Sequence, residues 1–120
     1  MMMHYIESTV LKQLIEEVGE ENLAMLLSLF RNELRDQFSL LNMQASMVTI
    51  EQISHSFKSS AESFGAKPLA LLAMKFEHKA KEKDAEWIDR HLHEYLRVIS
   101  ASLSDIETLL TDNELLNRLF

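Results

Sequence analysis

Residues 50–65 read IEQISHSFKSSAESFG. The apolar positions are Ile50, Ile53, Phe57, Ala61 and Phe64, at steps of 3, 4, 4 and 3. That is the period of an amphipathic helix rather than of a strand. At about 100° per residue, His55 falls opposite the apolar stripe, on the water-facing side. Glu51, Ser59 and Glu62 share its face at four- and seven-residue spacings, and Lys58 flanks it at three. The segment is expected to bury its back and to present one histidine, with a lysine and a small serine beside it. Spacing alone leaves two readings level: a functional histidine, or one exposed histidine among the chain's five.

Working outward, Gly65 ends this helix and Pro68 suits the first turn of the next. The connection is a few residues long, so the two helices run antiparallel and side by side. The following helix carries Leu69, Leu72, Ala73, Phe76 and Ala80 as its stripe and ends in a charged run, residues 79–84. The lysines there read as a solvated helix end. Asp84 can cap a last helix with the stripe Trp87, Ile88, Leu92, Tyr95, Leu96, Ile99, Leu103, Ile106 and Leu110. Residues 111–114, Thr-Asp-Asn-Glu, resemble a capping box. The helix either breaks there or runs on to the end.

On the N-terminal side, residues 1–7 read as a loose start. Ser8 is a candidate N-cap for a short helix with Val10, Leu11, Leu14, Ile15 and Val18 inward, stopped by Gly19. A long helix then begins near Glu20 and Glu21, with Leu23, Leu26, Leu27, Phe30, Leu34, Phe38 and Leu41 as its stripe. Residues 42–46 form the link to residue 50 and beyond. The expected fold is all-α: an antiparallel four-helix bundle, up-down-up-down, with a short additional N-terminal helix. One domain spans residues 1–120. Met25, Met43, Met47 and Met74 are expected to pack inside, and Trp87 and Tyr95 to lie at the core boundary.

Composition supports this and limits the function. With 47% hydrophobic residues in 120, two glycines and one proline, the chain can fill one core with few long elements. The net charge of −7, from 12 basic and 19 acidic residues, argues against broad nucleic-acid binding and against anionic membranes. No cysteine is present, so thiolate metal sites and cysteine nucleophiles are absent. The N-terminal residues lack a basic stretch and an apolar signal core, and a cytoplasmic location is expected.

The turn also has a geometric consequence. His55 lies eleven residues before Ala66, and Glu77 lies eleven after it. Two antiparallel helices rise at the same rate, so Glu77 is placed level with His55. A carboxylate on one imidazole nitrogen fixes the tautomer and leaves the other nitrogen free as a nucleophile; Glu77 reads either as this partner, the favoured role, or as an ordinary carboxylate at the boundary of its helix.

These residues resemble a known family. The segment His55-Ser56-Phe57-Lys58-Ser59-Ser60, followed by Gly65-Ala66 and then Leu69, Leu72 and Phe76-Glu77, is similar to the signature of histidine-containing phosphotransfer (Hpt) domains. Lys58-Ser59-Ser60-Ala61 with Ser63-Phe64-Gly65-Ala66 is similar to members that serve quorum-sensing phosphorelays. One position departs from the common pattern: Ser59 stands where the family often has Gly. The resemblance implies that His55 accepts a phosphoryl group from a receiver-domain aspartate and passes it to another receiver. Lys58 would offset the phosphoryl charge, Ser59 would give clearance, and Glu77 would orient the ring. Ser59, Glu51, Glu62 and Gly65 are the expected binding residues. The partners implied are the receiver of a hybrid sensor histidine kinase and that of a response regulator. The Mg²⁺ that assists transfer would sit on the receiver, so no cofactor or metal is expected on this monomeric chain. Apolar residues near His55, from the second helix, would dock the receiver. No G-x-x-x-x-G-K loop is present, so a carrier is expected rather than a kinase.

Three other readings compete. A metal-binding bundle could use His78, His91 and His93, but Glu-x-x-His does not occur on two helices, and His91 and His93 do not face together. A non-catalytic adaptor that binds receivers would not need the set His55, Lys58 and Gly65 at family spacing. A Ser-His-Asp catalyst would need a strained strand-to-helix elbow that no serine here has.

Overall fold

Both glycines of the chain stand at helix ends, and both have positive φ. A computed structural model describes residues 5–112. Its helices are α1 (Ser8–Val18), α2 (Glu20–Phe38), α3 (Met47–Phe64), α4 (Lys67–Lys81) and α5 (Ala85–Thr111). Helices α2, α3, α4 and α5 pack in a ring, each on the next, and α1 lies against α2 and α3. This is the antiparallel all-α bundle that the apolar periods predict. Among the described residues, no helix is long and apolar enough to cross a membrane.

The turn after α3 fixes the geometry of the site. Gly65 adopts the left-handed conformation, φ 75° and ψ 20°. The Ala66 N–H then donates to the Ala61 carbonyl at 2.8 Å, a Schellman closure of the helix end. Only glycine fits here for a second reason: a Cβ on Gly65 would stand 2.8 Å from the Val10 Cβ of α1. Pro68 follows within the first turn of α4, where its missing N–H has no helical partner to lose.

Apolar burial holds the ring together. Phe57, Phe76 and Tyr95 are fully buried, with Leu23, Leu27, Leu34 and Ile99 around them. Burying each such side chain contributes about 1.5–3 kcal/mol before ordering costs. Phe30 of α2 stacks on Phe64 of α3 with centroids 5.0 Å apart. Asp84 caps α5 as expected, its Oδ1 accepting from the Trp87 N–H at 3.1 Å.

Several boundaries differ from the sequence expectation. Residues 5–7 are docked rather than loose. Ile6 is buried, the Tyr5 N–H donates to Asp105, and the Glu7 N–H donates to the Gly65 carbonyl at 2.9 Å. Glu7, not Ser8, holds the N-cap position of α1, without a side-chain bond. Helix α2 ends at Phe38, so the link is longer than residues 42–46. Leu41 continues the apolar stripe only because the chain folds it inward from the link, and Asn42 shapes that link by accepting from the Gln44 N–H at 2.8 Å. Ser46 caps α3 by accepting from the Thr49 N–H. Met25, Met43 and Met74 are exposed rather than packed, and Tyr95 is fully buried rather than at the boundary. Helix α4 ends in a second Schellman closure, with Lys83 in the left-handed position at φ 59° and the Asp84 N–H on the Lys79 carbonyl. The capping-box stretch 111–114 extends outside the described residues.

Candidate functional site

His55 stands at the middle of α3, its side chain 68% exposed. Its Nδ1 lies 2.7 Å from Oε2 of Glu77 on α4. The level pairing across the turn, eleven residues each way, is therefore the observed contact. Glu77 itself is nearly covered, and its other oxygen, Oε1, meets the Lys58 ammonium at 2.9 Å. Lys81, one turn further along α4, approaches Oε2 at 3.6 Å. One carboxylate thus gathers three basic groups.

These contacts set its charge. The Lys58 hydrogen bond does most to draw the Glu77 carboxyl down, to about 2, with desolvation opposing and His55 assisting. Glu77 is shallow, roofed by its partners' side chains rather than sunk in the core. It carries no proton near neutral pH, so it can only accept. In the neutral ring the hydrogen of the 2.7 Å contact must therefore sit on His55 Nδ1. The lone pair is left on Nε2, which faces water. A hollow of about 330 Å³, lined by Glu51, Gln52, His55, Glu77 and Lys81, opens beside the ring.

The other predicted residues fall at graded distances. Glu51 lies one turn before His55 and lines the hollow. Ser59, one turn after, is exposed and carries no bulk over the ring. Glu62 is exposed two turns along the same face. Gly65 is not at the histidine: it lies ten residues away, about 15 Å along the helix, buried against α1. Its place is in the turn that brings Glu77 level. Lys58 flanks the histidine as its spacing predicts, and its ammonium is paired with Glu77.

Two features escaped the sequence reading. Lys81, read as part of a solvated helix end, reaches the site, and its i,i+4 spacing from Glu77 was the available signal. The second is exposed apolar surface at the start of α3 and in the link before it. Leu40, Met43 and Val48 are exposed, and Val48 lies two turns before His55 on the same face of α3. Beside them, a groove between α2 and α3 runs from Leu40 to Ser56, whose hydroxyl donates to Glu33. Of the other histidines, His91 stacks on Trp87 with centroids 4.1 Å apart, and His78 lies 3.4 Å from Glu82.

An all-helical ring with an exposed histidine braced by a carboxylate from the next helix defines a class. The Hpt-domain family model matches residues 10–108, and the chain belongs to this family of histidine-containing phosphotransfer domains. The named relatives are all phosphorelay proteins called LuxU. That of Vibrio cholerae serotype O1 is 32% identical over 111 residues, 88% of this chain and 98% of the relative. That of Vibrio vulnificus strain YJ016 is 36% identical over 86 residues, 69% of this chain and 75% of the relative. That of Vibrio harveyi is 36% identical over 74 residues, 59% and 65% of the two chains. No solved structure matches the chain significantly.

Proposed function

We propose that the protein is the histidine phosphotransfer intermediate of a multistep phosphorelay, with His55 as the phosphoryl carrier. The observation that supports this most is the 2.7 Å contact between His55 Nδ1 and an ionised Glu77, which leaves Nε2 unprotonated and open to water. In the forward step the Nε2 lone pair attacks the phosphorus of a receiver's aspartyl phosphate in line. An N–P bond forms, the P–O bond to the aspartate breaks, and the aspartate leaves as a carboxylate. The ring keeps its Nδ1 proton, and Glu77 balances the positive charge that develops on it. A second receiver reverses the step with its own aspartate. Lys58 and Lys81 offset the added phosphoryl charge, and Ser59 leaves room for the approaching receiver.

The Mg²⁺ that assists transfer belongs, on this reading, to the receiver, and the chain acts as a carrier without kinase activity or a cofactor of its own. Val48, exposed two turns before His55 on α3, and the exposed Leu40 and Met43 of the link before that helix offer apolar surface suited to a receiver helix. The relatives are named phosphorelay proteins. With the likeness of residues 58–66 to quorum-sensing members, this favours the receiver of a hybrid sensor kinase upstream. Downstream it favours a transcription-controlling response regulator of the LuxO type. The protein would work as a cytoplasmic monomer.

The test is transfer from a phosphorylated receiver to wild type and to His55→Gln. Acid-labile, base-stable label on wild type and none on the variant is the expected result. Receiver binding without label on either protein would overturn the relay mechanism in favour of a non-catalytic adaptor.

A further inference from the structure

Behind the His55–Glu77 pair lies a buried contact that the phosphoryl chemistry does not itself touch. Ser54 immediately precedes His55, and Phe76 immediately precedes Glu77. Both are fully buried, as is Tyr95 of α5. The Tyr95 hydroxyl donates to Ser54 Oγ at 3.0 Å. The Tyr95 ring stacks on Phe76 with centroids 4.1 Å apart. One residue of α5 therefore grips both helices at the positions adjoining the pair.

Several serines in this fold, such as the buried Ser102, simply bond the carbonyl four residues back. Ser54 instead meets a partner from another helix. Burial pushes the Tyr95 phenol up, so it stays an O–H donor at working pH.

The pair needs such a grip. His55 is exposed, so packing does not hold its ring. Its contact with Glu77 depends on the axial register of α3 against α4 at that level. The turn that sets this register is eleven residues away, about 16 Å along the helices. A slip of a single residue moves one helix by about 1.5 Å, enough to break a 2.7 Å hydrogen bond. Unrestrained neutral imidazole favours the proton on Nε2, which would block the nucleophile.

We propose that Tyr95 is a positioning residue for phosphotransfer: by tying Ser54 on α3 to Phe76 on α4, it keeps His55 Nδ1 on Glu77 and Nε2 free. This rests on the reading of His55 as the carrier.

The test uses Tyr95→Phe in the full chain, which keeps the ring stack and removes the donor. Two quantities are read: the His55 tautomer by ¹⁵N NMR, and single-turnover transfer from a phosphorylated receiver. Both are measured in the wild-type and Glu77→Ala backgrounds. Tyr95→Phe is expected to lower the Nδ1–H fraction and to slow transfer about two- to tenfold, the range of one buried hydrogen bond. In the Glu77→Ala background it should slow transfer no further, because the pair it serves is gone. Ser54→Ala cuts the same bond from the other end and should repeat both changes. An unchanged tautomer and rate would overturn the proposal. So would equal slowing in both backgrounds, which would make Tyr95 a matter of stability alone. A wild type that takes no label counts against the carrier reading, while the tautomer measurement still decides the role of Tyr95.

Discussion

Replacing Glu77 by Gln preserves shape and removes charge, and so isolates what the carboxylate does. Two effects oppose each other. A hydrogen bond to a charged acceptor is worth about 1.5–3 kcal/mol and one to a neutral acceptor about 0.5–1.5. The hold on the Nδ1–H tautomer should therefore weaken by about 1–1.5 kcal/mol. Against this, a carboxylate repels the phosphoryl group arriving on Nε2. At roughly 6 Å in water that repulsion is about 0.7 kcal/mol per unit charge, and physiological salt reduces it by about half. The hydrogen-bond loss wins by about 0.5–1 kcal/mol, which is about a two- to fivefold slower transfer. Glu77→Ala, with no acceptor at all, should be slower still, by about tenfold or more. Rapid-quench single-turnover transfer at saturating receiver reads the step itself, free of docking effects. A Gln variant as fast as wild type, or faster, would show that charge repulsion rather than tautomer control dominates.

Three further outcomes follow from the same contacts. The folded-state pKa of Glu77, about 2, lies below its ordinary value of 4.5, so the unfolded chain binds the proton more readily. The stability that this group adds is then complete above about pH 4.5 and lost as pH falls toward 2. With water screening so shallow a site, we expect wild type to exceed Glu77→Gln by about 1–2 kcal/mol at pH 7. Urea midpoints should show that gap closing with acid, and a gap constant from pH 7 to 2.5 would contradict the assignment. Gly65→Ala should destabilise by at least about 2 kcal/mol, from left-handed backbone strain plus the clash with Val10. Its transfer rate per folded molecule should stay near wild type, because Tyr95 holds the pair at its own level, and slow transfer in a fully folded variant would mean that the pair's register is set at the turn. Lys83→Gly should stabilise by about 0.5–1 kcal/mol in denaturant unfolding, since Lys83 holds a left-handed conformation that glycine adopts without strain; a loss of stability would contradict that.

The parts of this molecule that could be read from sequence were those set by period and by rise. The stripe from Ile50 to Phe64 fixed which face of α3 is wet, and equal rise on either side of Ala66 placed Glu77 against His55. Gly65, Pro68 and Asp84 marked their boundaries because each carries out a local task that few other residues can. What period cannot give is depth or partner choice. Tyr95 belongs to the α5 stripe, yet only the packed bundle shows it sealed over Ser54 and Phe76. Met25, Met43 and Met74 read as core by residue type but lie on the surface. The pairing of Lys58 with Glu77 depends on how far a flexible side chain reaches, which spacing leaves open. The docking of residues 5–7 rests on one buried isoleucine, the Tyr5 N–H bond to Asp105 and a backbone bond to Gly65, contacts distant in sequence with no local signal. Helix α4 closes on Lys83 where a glycine would have announced the end.

The central claim is that His55 Nε2, freed by the Nδ1 contact to Glu77, carries the phosphoryl group. The most direct measurement is ³¹P–¹⁵N coupling in ¹⁵N-histidine-labelled protein after transfer from a phosphorylated receiver. Phosphorus should couple to Nε2 of His55, with the proton retained on Nδ1. Phosphorus on Nδ1, or on any residue other than His55, would contradict it.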